Sequence, residues 1–290
     1  MIFKFLFYGI EKVSITKKGI FWYYIPNFLF SSFLSLFFTL KMQPFLTSSF
    51  EGEEFLRSFD PLFFRIFEVL NSDFSTTSKN LLIVFSPLFL LIYLFFSGGA
   101  IKLISRDWRH YDFKFFLSGS YNYFFRFLRL FIISFPFYLI PFLAIKIYII
   151  PHIEETYKVE ELKMIFSLSL AYLFSFFIFS LINLVSDLTK IRIVERDSGS
   201  VLAELFYTII YILRNLFPTI SLYILTSFLN IVPLGLYILI SPFFLRSSSL
   251  FSIIISFISF QLILLIRIWI KFVFWASQRE LLLFLESKMI

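Results

Sequence analysis

Long stretches of this chain carry no charge at all, and their lengths constrain the fold more than any other feature. Lys18 to Lys41 encloses 22 uncharged residues, Lys79 to Lys102 another 22, and Lys163 to Asp187 encloses 23. Arg214 to Arg246 encloses 31 and Arg246 to Arg267 encloses 20. Arg129 to Lys146 gives only 16, but the apolar run continues to Pro151, and a lysine near a helix end can snorkel. A helix needs about 20 apolar residues to cross roughly 30 Å of hydrocarbon. Six transmembrane helices are therefore expected, near 19–40, 80–101, 130–150, 164–186, 218–241 and 249–270. Pro218 and Pro242 trim the 31-residue stretch to one span, because proline suits a first helical turn and ends a helix well. The runs are continuous rather than alternating, which argues against a β-barrel.

Composition agrees. The chain is 59% hydrophobic and 16% charged, with 47 phenylalanines in 290 residues. Soluble domains are nearer 45–50% apolar and about 25% charged. A water-soluble core of this size could not hide so much apolar surface. The absence of cysteine excludes disulfides, thiolate nucleophiles and thiolate metal sites.

Charge distribution gives the orientation. With the N-terminus in the cytoplasm, inner segments hold 18 Lys/Arg and outer segments 8, for net charges of +9 and −2. Positive charge marks the cytoplasmic side of short loops. The expected topology has both termini cytoplasmic, in a bacterial-type cytoplasmic membrane. A long outer loop covers 41–79, with "FLRSFDPLFFRIFEVL" (55–70) as an amphipathic helix within it, and a cytoplasmic tail covers 271–290. The opening 1–18, "MIFKFLFYGIEKVSITKK", has too short an apolar stretch for a signal peptide and is read as an interfacial lead-in.

The inner segments share a grammar. Lys102–Arg106–Asp107 and Arg192–Arg196–Asp197 have identical internal spacing, 90 residues apart. Arg129 and Arg214 close the two following lead-ins, and Arg279–Glu280 falls 83 residues after Arg196. In 112–129, Phe113, Phe116, Leu117, Phe124 and Leu128 fall at helical spacing, opposite Asp112, Asn122, Arg126 and Arg129. The expectation is an all-α, polytopic single membrane domain. It comprises three hairpins, each introduced by an in-plane amphipathic helix on the cytoplasmic side. In topology this plan resembles that of several bacterial membrane families and of the membrane portion attached to some glycerophosphodiester phosphodiesterases. The resemblance implies a membrane domain and carries no site residues.

Chemistry-bearing motifs are scarce. His110 and His152 fall on opposite sides and cannot share a metal. "LSGSY" (117–121) and "DSGSV" (197–201) are the nearest approach to glycine-rich loops, and the second reads as a helix cap. The acidic runs 51–60 and 152–163 read as solvated loop faces. No catalytic set, cofactor or metal site is expected, and no nucleic-acid partner. Arg126, Arg129, Arg214, Arg267 and Lys271 form a candidate inner-leaflet site for an anionic lipid headgroup. Asn183, Asp187, Asn230 and Gln261 are buried polar candidates, with a salt bridge from Asp187 to Lys190 or to a lead-in residue expected. The favoured function is a non-enzymatic scaffold or accessory subunit, its partners being membrane lipids and a membrane protein. A transporter or channel for a small or lipidic solute is the alternative, and an intramembrane lipid enzyme using Asp187 with His110 a third.

Overall fold

The computed structural model describes residues 2–48, 72–105, 112–144, 146, 161–245 and 250–287. His110, His152, the loop helix at 55–70 and nearly all of the outer acidic runs lie outside the described residues. Among the described residues the elements are eight α-helices, with no strand. They are α1 (Ile2–Ile15), α2 (Lys17–Ser48), α3 (Ser72–Ser105), α4 (Phe113–Ala144), α5 (Glu161–Glu195), α6 (Val201–Arg214), α7 (Leu216–Leu245) and α8 (Leu250–Ser287).

Six of them are long and apolar enough to cross a membrane, through 17–37, 79–105, 113–141, 169–195, 216–239 and 257–287. Only 11–22% of each apolar window is buried inside the protein. Rows such as Phe228, Ile231, Leu236 and Leu239 on α7 face outward, which lipid tolerates and water does not.

The interior is built by α3, α5 and α8, which touch one another. Ile101 and Ile104 on α3, Leu184, Leu188 and Ile191 on α5, and Phe272, Val273 and Trp275 on α8 are fully buried there. The other three long helices lie against this trio: α2 on α3, α4 on α3 and α5, and α7 on α8.

The two short helices brace it. In α1, Phe5, Leu6, Gly9, Lys12 and Val13 are buried at three-to-four-residue spacing, whereas Phe3 and Phe7 are exposed. That face packs on α8, with the Phe5 and Phe284 rings 5.3 Å apart. A side chain at Gly9 would overlap Ser277 Oγ and approach the Val273 carbonyl oxygen, so glycine sets how closely α1 lies. Thr16 breaks α1 from α2 while its hydroxyl contacts the Lys12 and Val13 carbonyls. Similarly, α6 buries Val201, Glu204, Thr208, Tyr211 and Ile212 against its neighbours. Asn215 interrupts the chain between α6 and α7, and Pro218 occupies the first turn of α7.

The middle lead-in differs. Residues 113–129 and the following span form one unbroken helix, because nothing between Phe113 and Pro136 stops it. "LSGSY" is therefore helical, and it packs against "SGGA" of α3. A Cβ on Gly99 would collide with the Phe116 carbonyl oxygen and Ser120 Oγ. The stretch 271–287, read from sequence as a tail, continues α8, and Phe272–Arg279 is buried throughout.

Candidate functional site

Asn183, Asp187 and Lys190 lie on one face of α5, at i, i+4 and i+7. Asp187 and Lys190 are buried and turn toward the interior, where Asp187 meets a lysine of α8, whereas Asn183, expected to be buried, lies a turn further out and is exposed. Lys271 Nζ is 2.6 Å from Asp187 Oδ2, and Lys190 Nζ is 3.3 Å from Oδ1. The side chains of Asp187, Lys190 and Lys271 are 6%, 10% and 31% exposed, so the group is largely sealed but open beside Lys271. Two lysines share one carboxylate, so the formal charge of the group is positive, on helices long and apolar enough to cross a membrane.

Aromatic rings wall it. Lys190 Nζ sits 5.7 Å from the Tyr93 ring centroid, and Lys271 Nζ 5.1 Å from that of Trp275. Tyr23 packs edge-on against both Tyr93 and Trp275. Tyr138 donates to Asn183 Oδ1 at 2.8 Å, and the hydroxyls of Tyr138 and Tyr223 lie within electrostatic reach of Asp187 and Lys271. Each long helix thus contributes at least one member, among them Tyr23, Tyr93, Tyr138, Asp187, Tyr223 and Lys271, in chain order.

A second set of ion pairs closes the end of the bundle. Arg279 on α8 donates to Glu195 on α5 at 2.5 Å, to the Ser105 carbonyl oxygen at the end of α3 at 2.7 Å, and to Glu280. Arg192, with a side chain only 4% exposed, donates to Glu204 on α6 and Glu286 on α8. At the surface, Arg126 on α4 pairs with Asp197 at 2.6 Å and holds its carboxyl below the usual carboxylate range. Burial pushes the Tyr211 hydroxyl in the other direction, well above its ordinary value.

The anticipated basic residues do not all gather at one place. Lys271 is committed to Asp187, and Arg126 to Asp197. Arg129 is exposed and lines an open cleft of about 350 Å³ with Ile132, Ile133 and Gly199 to Leu202, and none of the other four basic candidates is among its walls. Arg214 is exposed at the end of α6, and Arg267 on α8. Ser200 occupies the N-cap of α6 without a side-chain cap bond. Of the polar candidates, Asn183 and Asp187 join the central group, and the expected Asp187–Lys190 bridge is present. Gln261 accepts from the Tyr24 hydroxyl at 2.5 Å, tying α8 to α2, and Asn230 is half-buried on α7. Sequence reasoning missed the tyrosines, which are scattered among 15 in the chain and carry no spacing signal.

No protein-family model, curated protein or solved structure matches this chain.

Proposed function

We propose that this protein is a non-enzymatic scaffold or accessory subunit of a cytoplasmic membrane, which holds anionic lipid at its basic end. The observation that carries the reading is the cleft beside Arg129. An exposed guanidinium, the amino end of α6 and an apolar wall of Ile132 and Ile133 border the same space. A helix amino end and an arginine both favour phosphate, and the isoleucines suit an acyl chain. Among the deeper groups, Asp187 and Glu195 each meet a lysine or arginine of the bundle. Both termini lie in the cytoplasm on this reading. The exposed Phe3 and Phe7 of α1, and Leu202, Phe206 and Leu213 of α6, then lie among headgroups. Three like-oriented hairpins follow, each with a basic lead-in.

Native mass spectra of the protein in mild detergent, with phosphatidylglycerol and phosphatidylcholine added equally, test the lipid. Selective retention of phosphatidylglycerol that Arg129→Ala abolishes is the expected result. Equal retention of both lipids, or retention unchanged in the variant, overturns it. A protein partner retained at fixed stoichiometry is expected for an accessory subunit.

A second reading, transport of a small or lipidic solute, draws on the central polar group, to which all six long helices contribute. Flux of a labelled solute into proteoliposomes, lost in Lys271→Gln, is its test.

A further inference from the structure

We infer that the Asp187–Lys190–Lys271 group binds an oxyanion, a phosphate either free or carried on a lipid headgroup. The first argument is charge. Lys271 at 2.6 Å neutralises Asp187, and Lys190 contacts the other carboxylate oxygen at the longer 3.3 Å. One formal positive charge therefore remains, and the Lys190 side chain that carries it is only 10% exposed. An uncompensated charge in such surroundings is costly, and attraction to the Tyr93 ring offsets only a fraction of that cost. A bound anion supplies the missing charge.

The second argument is hydrogen bonding, and it is independent of the first. One buried donor beside the group, the Trp275 indole N–H on a residue 0% exposed, has no hydrogen-bond partner, and the Tyr23 hydroxyl next to it, on a residue 3% exposed, has only Ser97 and Tyr93 within reach. Their rings touch each other at a centroid distance of 6.1 Å, and they are in contact with the lysine environment: Trp275 lies under Lys271, and Tyr23 packs on the Tyr93 ring that faces Lys190. Buried polar groups are nearly always satisfied. Here the unsatisfied group is a donor and the surplus formal charge is positive, so an acceptor of negative charge answers both deficits. A phosphate offers several oxygens to such donors. Entry is available where Lys271 keeps 31% of its side chain exposed. This site is separate from the cleft at Arg129, whose walls include none of these residues.

The test is thermal unfolding of the detergent-purified chain, titrated separately with inorganic phosphate and with dioctanoyl phosphatidic acid. Sodium chloride of matched ionic strength and dioctanoylglycerol are the controls. A saturable rise in Tm with phosphatidic acid alone identifies a headgroup, and a rise with phosphate as well identifies the free anion. Lys190→Gln removes the surplus cation while keeping the Asp187–Lys271 pair, so it should fold. It is expected to weaken the response about tenfold or more, as loss of a charged hydrogen bond does. Tyr23→Phe should weaken it a few-fold, and Arg129→Ala should leave it intact. The proposal is overturned if neither oxyanion stabilises the wild-type chain. It is also overturned if Lys190→Gln responds fully, or if Arg129→Ala abolishes the response.

Discussion

Lys271 Nζ lies 2.6 Å from Asp187 Oδ2, across 84 residues of sequence. Eight residues further along both helices, Arg279 meets Glu195 with the same 84-residue offset. Helices α5 and α8 are thus held by two ion-pair rungs, about 12 Å apart at 1.5 Å per residue. Both rungs advance in the same direction, so the two helices run parallel.

The inner rung is buried, and its removal should be costly. Asp187→Leu leaves two lysines without their carboxylate, a loss expected to destabilise by about 3–5 kcal/mol. Adding Lys190→Met and Lys271→Met should recover much of it, because the surroundings are apolar. Melting curves in one detergent check this. Equal stability of Asp187→Leu and the wild type would mean that the charges are hydrated.

The seat of α1 depends on Gly9, where an added Cβ would overlap Ser277 Oγ. Gly9→Ala is expected to cost about 1–3 kcal/mol through overpacking. Ser277→Ala should give back only part, since the Val273 carbonyl oxygen stays 2.9 Å from the added carbon. Limited proteolysis within α1, faster in Gly9→Ala than in the wild type, reports the same displacement. Unchanged digestion would show that α1 is not held there.

Arg126 lowers the Asp197 carboxyl pKa, so their pair stabilises the folded state above the carboxyl's ordinary value. That contribution disappears as pH falls through the lowered value. Asp197 is 74% exposed, which limits the effect to about 0.2–1 kcal/mol and makes it sensitive to salt. Asp197→Asn should remove this acid-dependent component. It should keep the backbone, because asparagine tolerates the φ of 45° found here. Melting at neutral and acidic pH, in low and high salt, separates the two.

Orientation is testable because the chain has no native cysteine. Ser72→Cys, at the start of α3, should react with an impermeant maleimide added outside intact cells. Ser118→Cys, near the start of α4, should react only after lysis. The reverse pattern would invert the topology and move the basic end to the outer face.

Much of the architecture was legible because hydrophobic runs are local. The run 19–40 falls within α2 and 80–101 within α3, and counting uncharged residues was enough to find them. Boundaries were less legible where charge and helix end disagree. Lys271 and Arg279 looked like the start of a tail, yet the helix continues through both to Ser287, and carboxylates on α5 neutralise them. Proline marked the break before α7, whereas nothing local marked the one at Thr16. Arg267 and Lys271 were read as one basic face. Four residues leave them about 40° apart. At the rim of the bundle that is enough to put Arg267 outside and Lys271 beside Asp187.

The sequence alone determined that the chain is helical and how many of its segments can span a membrane, because run length and charge content are properties of neighbouring residues. Only the tertiary structure decided which charges meet. It drew Lys271 and tyrosines from four other helices to the Asp187–Lys190 pair, which local spacing had already anticipated. Those partners come from segments up to 250 residues apart, and no local spacing records which helix will lie beside which.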